Sequence, residues 1–125
     1  MNNPLQPVIR VTNLSAGYGG IPVMENVSFE VYQGEIFVII GGSGCGKSTL
    51  LKNLIGLMEP IAGKVSILDE DLSVIDEYKR TDLLKRIGVA FQSGALFGSM
   101  TVLENVKLPL KEFTQLPEHI MDDIA

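Results

Sequence analysis

Nine consecutive residues hold the densest chemistry in the chain: Gly41, Gly42, Ser43, Gly44, Cys45, Gly46, Lys47, Ser48 and Thr49. They fit the spacing G-x-x-x-x-G-K-[ST], in which each residue type has a physical task. Glycines reach φ > 0 and carry no Cβ, so consecutive backbone N–H groups can turn into one concavity. The positive end of a following helix adds to that nest, and the combination suits a polyphosphate anion. Lys47 is long enough to reach the β- and γ-phosphates as a point charge. Ser48 offers a hydroxyl to Mg²⁺, which prefers hard oxygen ligands and phosphate oxygens. Thr49 either touches the α-phosphate or is a plain first-turn threonine. The bland alternative for the whole run is a Gly-rich turn that only joins a strand to a helix.

The flanks favour the phosphate reading. Residues 35–40 (Glu-Ile-Phe-Val-Ile-Ile) read as a buried strand leading in, and residues 48–57 as a helix leading out. Leu50, Leu54 and Leu57 share one face of that helix, and Leu51, Ile55 and Met58 the next, so both faces are expected to be buried. Glu59-Pro60 stops it. Upstream, residues 1–7 read as a loose arm, 8–14 as a strand, 15–20 as a glycine-punctuated loop and 25–31 as a second, antiparallel strand. Downstream, residues 64–68 read as a short strand and Asp69-Glu70-Asp71 as an acidic turn, with turn chemistry favoured over a metal role. Residues 76–86 read as an amphipathic helix and 88–91 as an apolar strand ending at Gln92. Residues 93–100 read as a loop. Thr101 and Glu104 form a capping box for a helix that Pro109 should end, and 117–125 begin another helix.

Composition narrows the function classes. The chain has 125 residues, 46% of them hydrophobic, which is one domain or part of one. A net charge of −5 argues against a nucleic-acid footprint. No basic-then-apolar leader and no run of about 18 apolar residues is present, so a soluble, cytoplasmic polypeptide is expected. Cys45, the only cysteine, forms no intrachain disulfide. It is a small residue at a free position of the loop, or a thiol activated by a helix N-terminus.

With these elements placed, the chain resembles the ATP-binding subunit of an ABC transporter. Tyr18, ahead of the loop, looks like the A-loop aromatic that stacks on adenine; otherwise it is an ordinary surface tyrosine. Residues 41–48 match the Walker A loop. Gln92 looks like the Q-loop glutamine, which in the family touches Mg²⁺ or the attacking water; otherwise it is a polar strand-end residue. The run Thr101-Val102-Leu103-Glu104-Asn105-Val106 matches the segment that follows the Q-loop. The loop run Gly41-Gly42-Ser43-Gly44-Cys45-Gly46 and the run Phe91-Gln92-Ser93-Gly94-Ala95-Leu96-Phe97 are similar to those of phospholipid transporters that work with mammalian-cell-entry (MCE) lipid-binding proteins.

The resemblance implies an α/β P-loop NTPase fold, with an N-terminal antiparallel β part and a mainly parallel sheet flanked by helices. It implies ATP and Mg²⁺, with residues 42–49 on the phosphates, Tyr18 on the base, Ser48 and Gln92 on the metal, and Lys47 and Gln92 as catalytic groups. It implies a second ATP-binding subunit, a transmembrane permease and an MCE-type protein as partners, on the inner face of a membrane. Leu96, Phe97 and Met100 either dock on the permease or tuck into the core. The family's signature motif, Walker B strand, catalytic glutamate and switch histidine have no counterpart here. Asp122-Asp123 does not follow an apolar strand run, and His119, the only histidine, lies too early for the switch. Residues 1–125 are therefore expected to be the N-terminal part of a nucleotide-binding domain, unable to turn over ATP alone. A small-molecule kinase or GTPase is disfavoured because two strands precede the loop and no Asn-Lys-x-Asp run exists. A non-transport ABC ATPase shares the loop and the glutamine and is set aside only by residues 92–97.

Overall fold

The computed structural model describes residues 6–125. Most of the expected N-terminal arm, Met1 to Leu5, lies outside them, and Pro7 already belongs to the first strand. The chain forms two units, Met1–Ile87 and Gly88–Ala125.

In the first unit, β1 (Pro7–Tyr18) pairs antiparallel with β2 (Ile21–Tyr32) on one edge and with β3 (Ala62–Ile67) on the other. A short β4 (Glu70–Asp71) completes a sheet ordered β2-β1-β3-β4. The β1–β2 hairpin turns on Gly19 and Gly20, both with positive φ (57° and 80°). Two such residues are what a tight two-residue hairpin demands. Both strands therefore run further than their apolar alternation suggests, and Tyr18 ends a strand rather than sitting in a loop.

The inward side of β1 changes parity. Val11 is buried, then Leu14 and Ala16. Alternation alone forbids an 11-to-14 step on one face. The register shift between Val11 and Leu14 supplies the extra residue, and Asn13 sits there with φ 47°. The Ser28 hydroxyl accepts from the Asn13 amide at 2.8 Å and donates to its Oδ1 at 3.3 Å, which holds the bulge.

Two helices cover this sheet, α1 (Lys47–Leu54) and α2 (Glu77–Leu84). Leu50 and Leu54 of α1 meet Val11, Leu14, Ala16, Val65 and Ile67, with Leu72 and Leu83 joining the same core. Each fully buried leucine contributes about 2 kcal/mol by removal from water. Only one face of α1 is buried: Leu51, on the other, is exposed, and Leu57, past the end of the helix, is exposed as well. The α-helix stops at Leu54, ahead of Pro60, because Gly56 turns left-handed at φ 71°. Asp76 caps α2 by accepting from the Lys79 amide at 2.9 Å. The acidic turn is used internally: Asp71 Oδ1 accepts from the Ser73 amide and hydroxyl, and the hydroxyl bond holds the Asp71 carboxyl below its ordinary range.

Two expected strands do not form. Residues 35–40 and 88–91 carry no ladder bonds among the described residues. The antiparallel part of the expected fold is therefore present, while no parallel ladder forms among the described residues. A strand exists only through a neighbour's backbone groups, which a sequence run cannot supply. Residues 35–40 nonetheless keep a two-residue period. Ile36, Val38 and Ile40 are 91%, 66% and 89% exposed. Phe37 is turned the other way and stacks on Phe29 of β2 at 4.7 Å.

The second unit holds α3 (Val102–Phe113) and α4 (Glu118–Ile124). Thr101 and Glu104 make the expected capping box. Pro109 does not end α3. A proline inside a helix removes one backbone bond. Here the cap at the start of α3 offsets it, and mid-helix Lys107 is bound by Glu118 at 2.5 Å and by Asp122. Asp122 is thus a helical ion-pair partner, and His119 is an exposed helical residue.

Candidate functional site

The phosphate-type loop is built where β2 meets the start of α1. Gly46 is the N-cap of α1, at φ 95° and ψ 5°, and its carbonyl accepts from the Leu50 amide at 2.8 Å. The first-turn amides that follow have no acceptor inside the helix. Gly46 is buried against β2: a Cβ there would lie 2.6 Å from Met24 Cε and 3.2 Å from Val23 Cγ1. Only glycine satisfies both the left-handed backbone and this approach. Gly44 is also left-handed, at φ 78°.

Lys47 folds back over the loop. Its Nζ donates to the carbonyls of Gly41 at 2.7 Å and Gly42 at 2.6 Å, and lies 3.5 Å from Cys45 Sγ. The ammonium is thereby held above the same backbone that would surround an anion. Ser48 is exposed, whereas Thr49 is buried. Asn53, one turn further on, is buried too and donates to the Thr49 carbonyl at 2.8 Å. Cys45 is an exposed free thiol.

Tyr18, Val23, Gly44, Gly46, Lys47, Ser48 and Thr49 line one open concavity of about 270 Å³. The resemblance implied that Tyr18 and the loop serve one nucleotide, and the hairpin sets Tyr18 beside the loop. Tyr18 is 51% exposed. The Thr49 hydroxyl donates to the Tyr18 hydroxyl oxygen at 3.4 Å, and the Lys52 ammonium does so at 3.5 Å. The same ammonium lies 5.7 Å from the ring centroid. These bonds, Thr49 first, lower the Tyr18 phenol from its ordinary value. Lys52 escaped the sequence reading. The available signal was its position three residues after Thr49, on the same helix face.

The donor set fits a polyphosphate: a helix start, left-handed glycines, a lysine and a free hydroxyl, with an aromatic ring at the rim. Gln92 lies in the second unit, where it is exposed and starts the turn closed by the Gly94 amide on the Phe91 carbonyl at 2.9 Å. Leu96, Phe97 and Met100, in the same unit, are exposed at 69%, 55% and 37%. Among the described residues, no helix is long and apolar enough to cross a membrane.

Known proteins resemble this chain in sequence and in fold. The chain is 43% identical over 108 residues to the putrescine transport ATP-binding protein PotG of Escherichia coli (strain K12), covering 86% of this chain and 27% of PotG. It is 36% identical over 120 residues to the intermembrane phospholipid transport system ATP-binding protein MlaF of Haemophilus influenzae, covering 96% of this chain and 46% of MlaF. The dimeric ATP-binding cassette MJ0796, solved in a post-hydrolysis state bound to ADP and Pi, superposes with a TM-score of 0.81 at 30% identity. That match covers 92% of this chain and 53% of the cassette, so the chain spans about half the length of the solved relative and less of the curated ones. The family model described as ABC transporter matches residues 24–125, and the chain belongs to the ABC transporter family.

Proposed function

We propose that the chain is the nucleotide-holding part of the ATP-binding subunit of an ABC transporter, which couples ATP binding and hydrolysis to transport. The observation that carries this reading is the single concavity in which Tyr18 faces the start of α1 and the Lys47 loop. In this reading residues 42–49 cradle the phosphates through backbone amides. Lys47 exchanges its carbonyl partners for the β- and γ-phosphates. Thr49 serves the α-phosphate end, and Tyr18 stacks on the base. Mg²⁺, when bound through Ser48, supplies positive charge to the phosphate oxygens. Phosphoryl transfer of this kind is mostly positioning and charge stabilisation.

The partners in this reading are a second ATP-binding subunit and a transmembrane permease, so the subunit works on the cytoplasmic face of a membrane. The exposed Leu96, Phe97 and Met100 are suited to the permease contact. The cargo is a phospholipid or similar hydrophobic compound, and an MCE-type protein is a further partner. Support for this cargo is the MlaF relationship over 96% of the chain, together with the Phe91-to-Phe97 run. PotG, a putrescine system by name, makes cargo the open variable to test.

The test has two arms. Lys47→Ala should weaken binding of a fluorescent ATP analogue by at least about tenfold, since a charge-assisted phosphate contact is worth about 1.5–3 kcal/mol. Unchanged affinity would remove the nucleotide reading. In the complete transporter reconstituted in lipid nanodiscs, phosphate release should respond to phospholipid composition and not to putrescine; the reverse response overturns the lipid cargo.

A further inference from the structure

The concavity leaves one cation without a role. Lys47 is committed to the loop, but Lys52 lies on the next turn of α1 with its ammonium turned toward Tyr18 rather than toward the loop carbonyls. It reaches the hydroxyl at 3.5 Å and the ring centroid at 5.7 Å, and the Thr49 hydroxyl reaches the same phenolic oxygen at 3.4 Å. Two donors from one helix face thus fix the far end of a ring whose base is fixed by the hairpin.

We infer that Lys52 is a positioning residue for base recognition: with Thr49 it pins Tyr18 at the rim of the concavity, so that the ring's open surface is held ready for a nucleobase. This rests on the nucleotide reading above. The physical reason is entropic and electrostatic. An exposed tyrosine at the end of a hairpin rotates freely, and immobilising it on binding costs affinity. A ring already held at its hydroxyl by the Lys52 ammonium and the Thr49 hydroxyl enters the complex with less freedom to lose. Lys52 does not need to touch the nucleotide. Its effect should therefore fall on ligands that carry a base and spare those that do not.

The probes are ATP and inorganic tripolyphosphate, titrated calorimetrically into the full chain and its variants, with circular dichroism to check folding. Lys52→Met should weaken ATP about two- to tenfold, the cost of ordering one side chain on binding, and leave tripolyphosphate unchanged. Lys52→Arg should restore ATP affinity. The tyrosinate absorbance difference between wild type and K52M should show one phenol titrating at higher pH in the variant, which checks that Lys52 contacts Tyr18 in solution. Equal weakening of both ligands overturns the inference, because Lys52 then acts on the phosphates. Unchanged ATP affinity overturns it as well. Tyr18→Ala separates the two layers: it should weaken ATP about five- to a hundredfold relative to tripolyphosphate. If it does not, base stacking by Tyr18 fails and the Lys52 role falls with it. If it does while K52M has no effect, only the Lys52 role is lost.

Discussion

At Gly46 the backbone and the packing make the same demand. Its φ of 95° is a left-handed value, and its missing Cβ lets β2 approach through Val23 and Met24. A left-handed L-residue costs about 1–2 kcal/mol. The Met24 terminus can swing away, but Val23 Cγ1 is branched and stiffer. Gly46→Ala should therefore lower the unfolding free energy by about 2 kcal/mol and also weaken ATP analogue binding, because the first amides of α1 must tilt. Urea denaturation and fluorescence titration measure the two effects. A variant with native stability would show that the loop relaxes without strain. The same comparison marks what residue types reveal. The glycine and lysine spacing pointed to a glycine turn ahead of a helix, and the left-handed Gly44 and Gly46 before α1 have that form. Tyr18 and Lys52 are ordinary residues whose meaning comes from a hairpin register and a helix face. Residue type carried the first and geometry had to supply the second.

At the scale of elements, local chemistry was legible where it is self-contained. The Thr101–Glu104 box is an example. The Thr101 hydroxyl accepts from the Glu104 amide at 3.2 Å, and the Glu104 carboxylate accepts from the Thr101 amide at 2.7 Å and its hydroxyl at 2.9 Å. Asn105 extends it by holding the Phe97 amide and the carbonyls of Phe97, Met100 and Thr101. The Thr101 amide, then its hydroxyl, lowers the Glu104 carboxyl from its ordinary 4.5. A lowered acid stabilises the fold fully above that ordinary value, and the contribution fades as pH falls below it through the native value. Thr101→Ala should destabilise the chain by about 1 kcal/mol at neutral pH, and by less in acid below the lowered native value, where Glu104 has taken up its proton. Denaturant midpoints at the two pH values test this; an equal loss at both would assign the cap entirely to the threonine hydroxyl. Pro109 teaches the opposite lesson. A breaker read locally is overridden when the Lys107 pairs bind the helix to its neighbour.

For the whole molecule, closeness along the chain does not decide which expected strands form. β1 finds β2 through a two-residue turn, but β3 reaches it from far along the chain, Ile9 pairing with Ile67. Residues 35–40 have the composition and the two-residue alternation of a strand, yet Ile36, Val38 and Ile40 stay exposed and no ladder forms on them among the described residues. Composition tells which segments suit a sheet; the hydrogen-bonding neighbour is a non-local fact. The difference should be visible in amide exchange. In β1, bonded on both edges and backed by Leu50 and Leu54, the amides near Ile9 and Val11 should exchange only by opening of the core. Those of Ile36, Val38 and Ile40 should exchange at nearly unprotected rates, leaving a gap of at least about a thousandfold between the segments. Protection at 36–40 that rises with protein concentration would show that a second copy supplies the missing ladder. Protection independent of concentration would show a ladder within the chain and remove the unpaired-strand account.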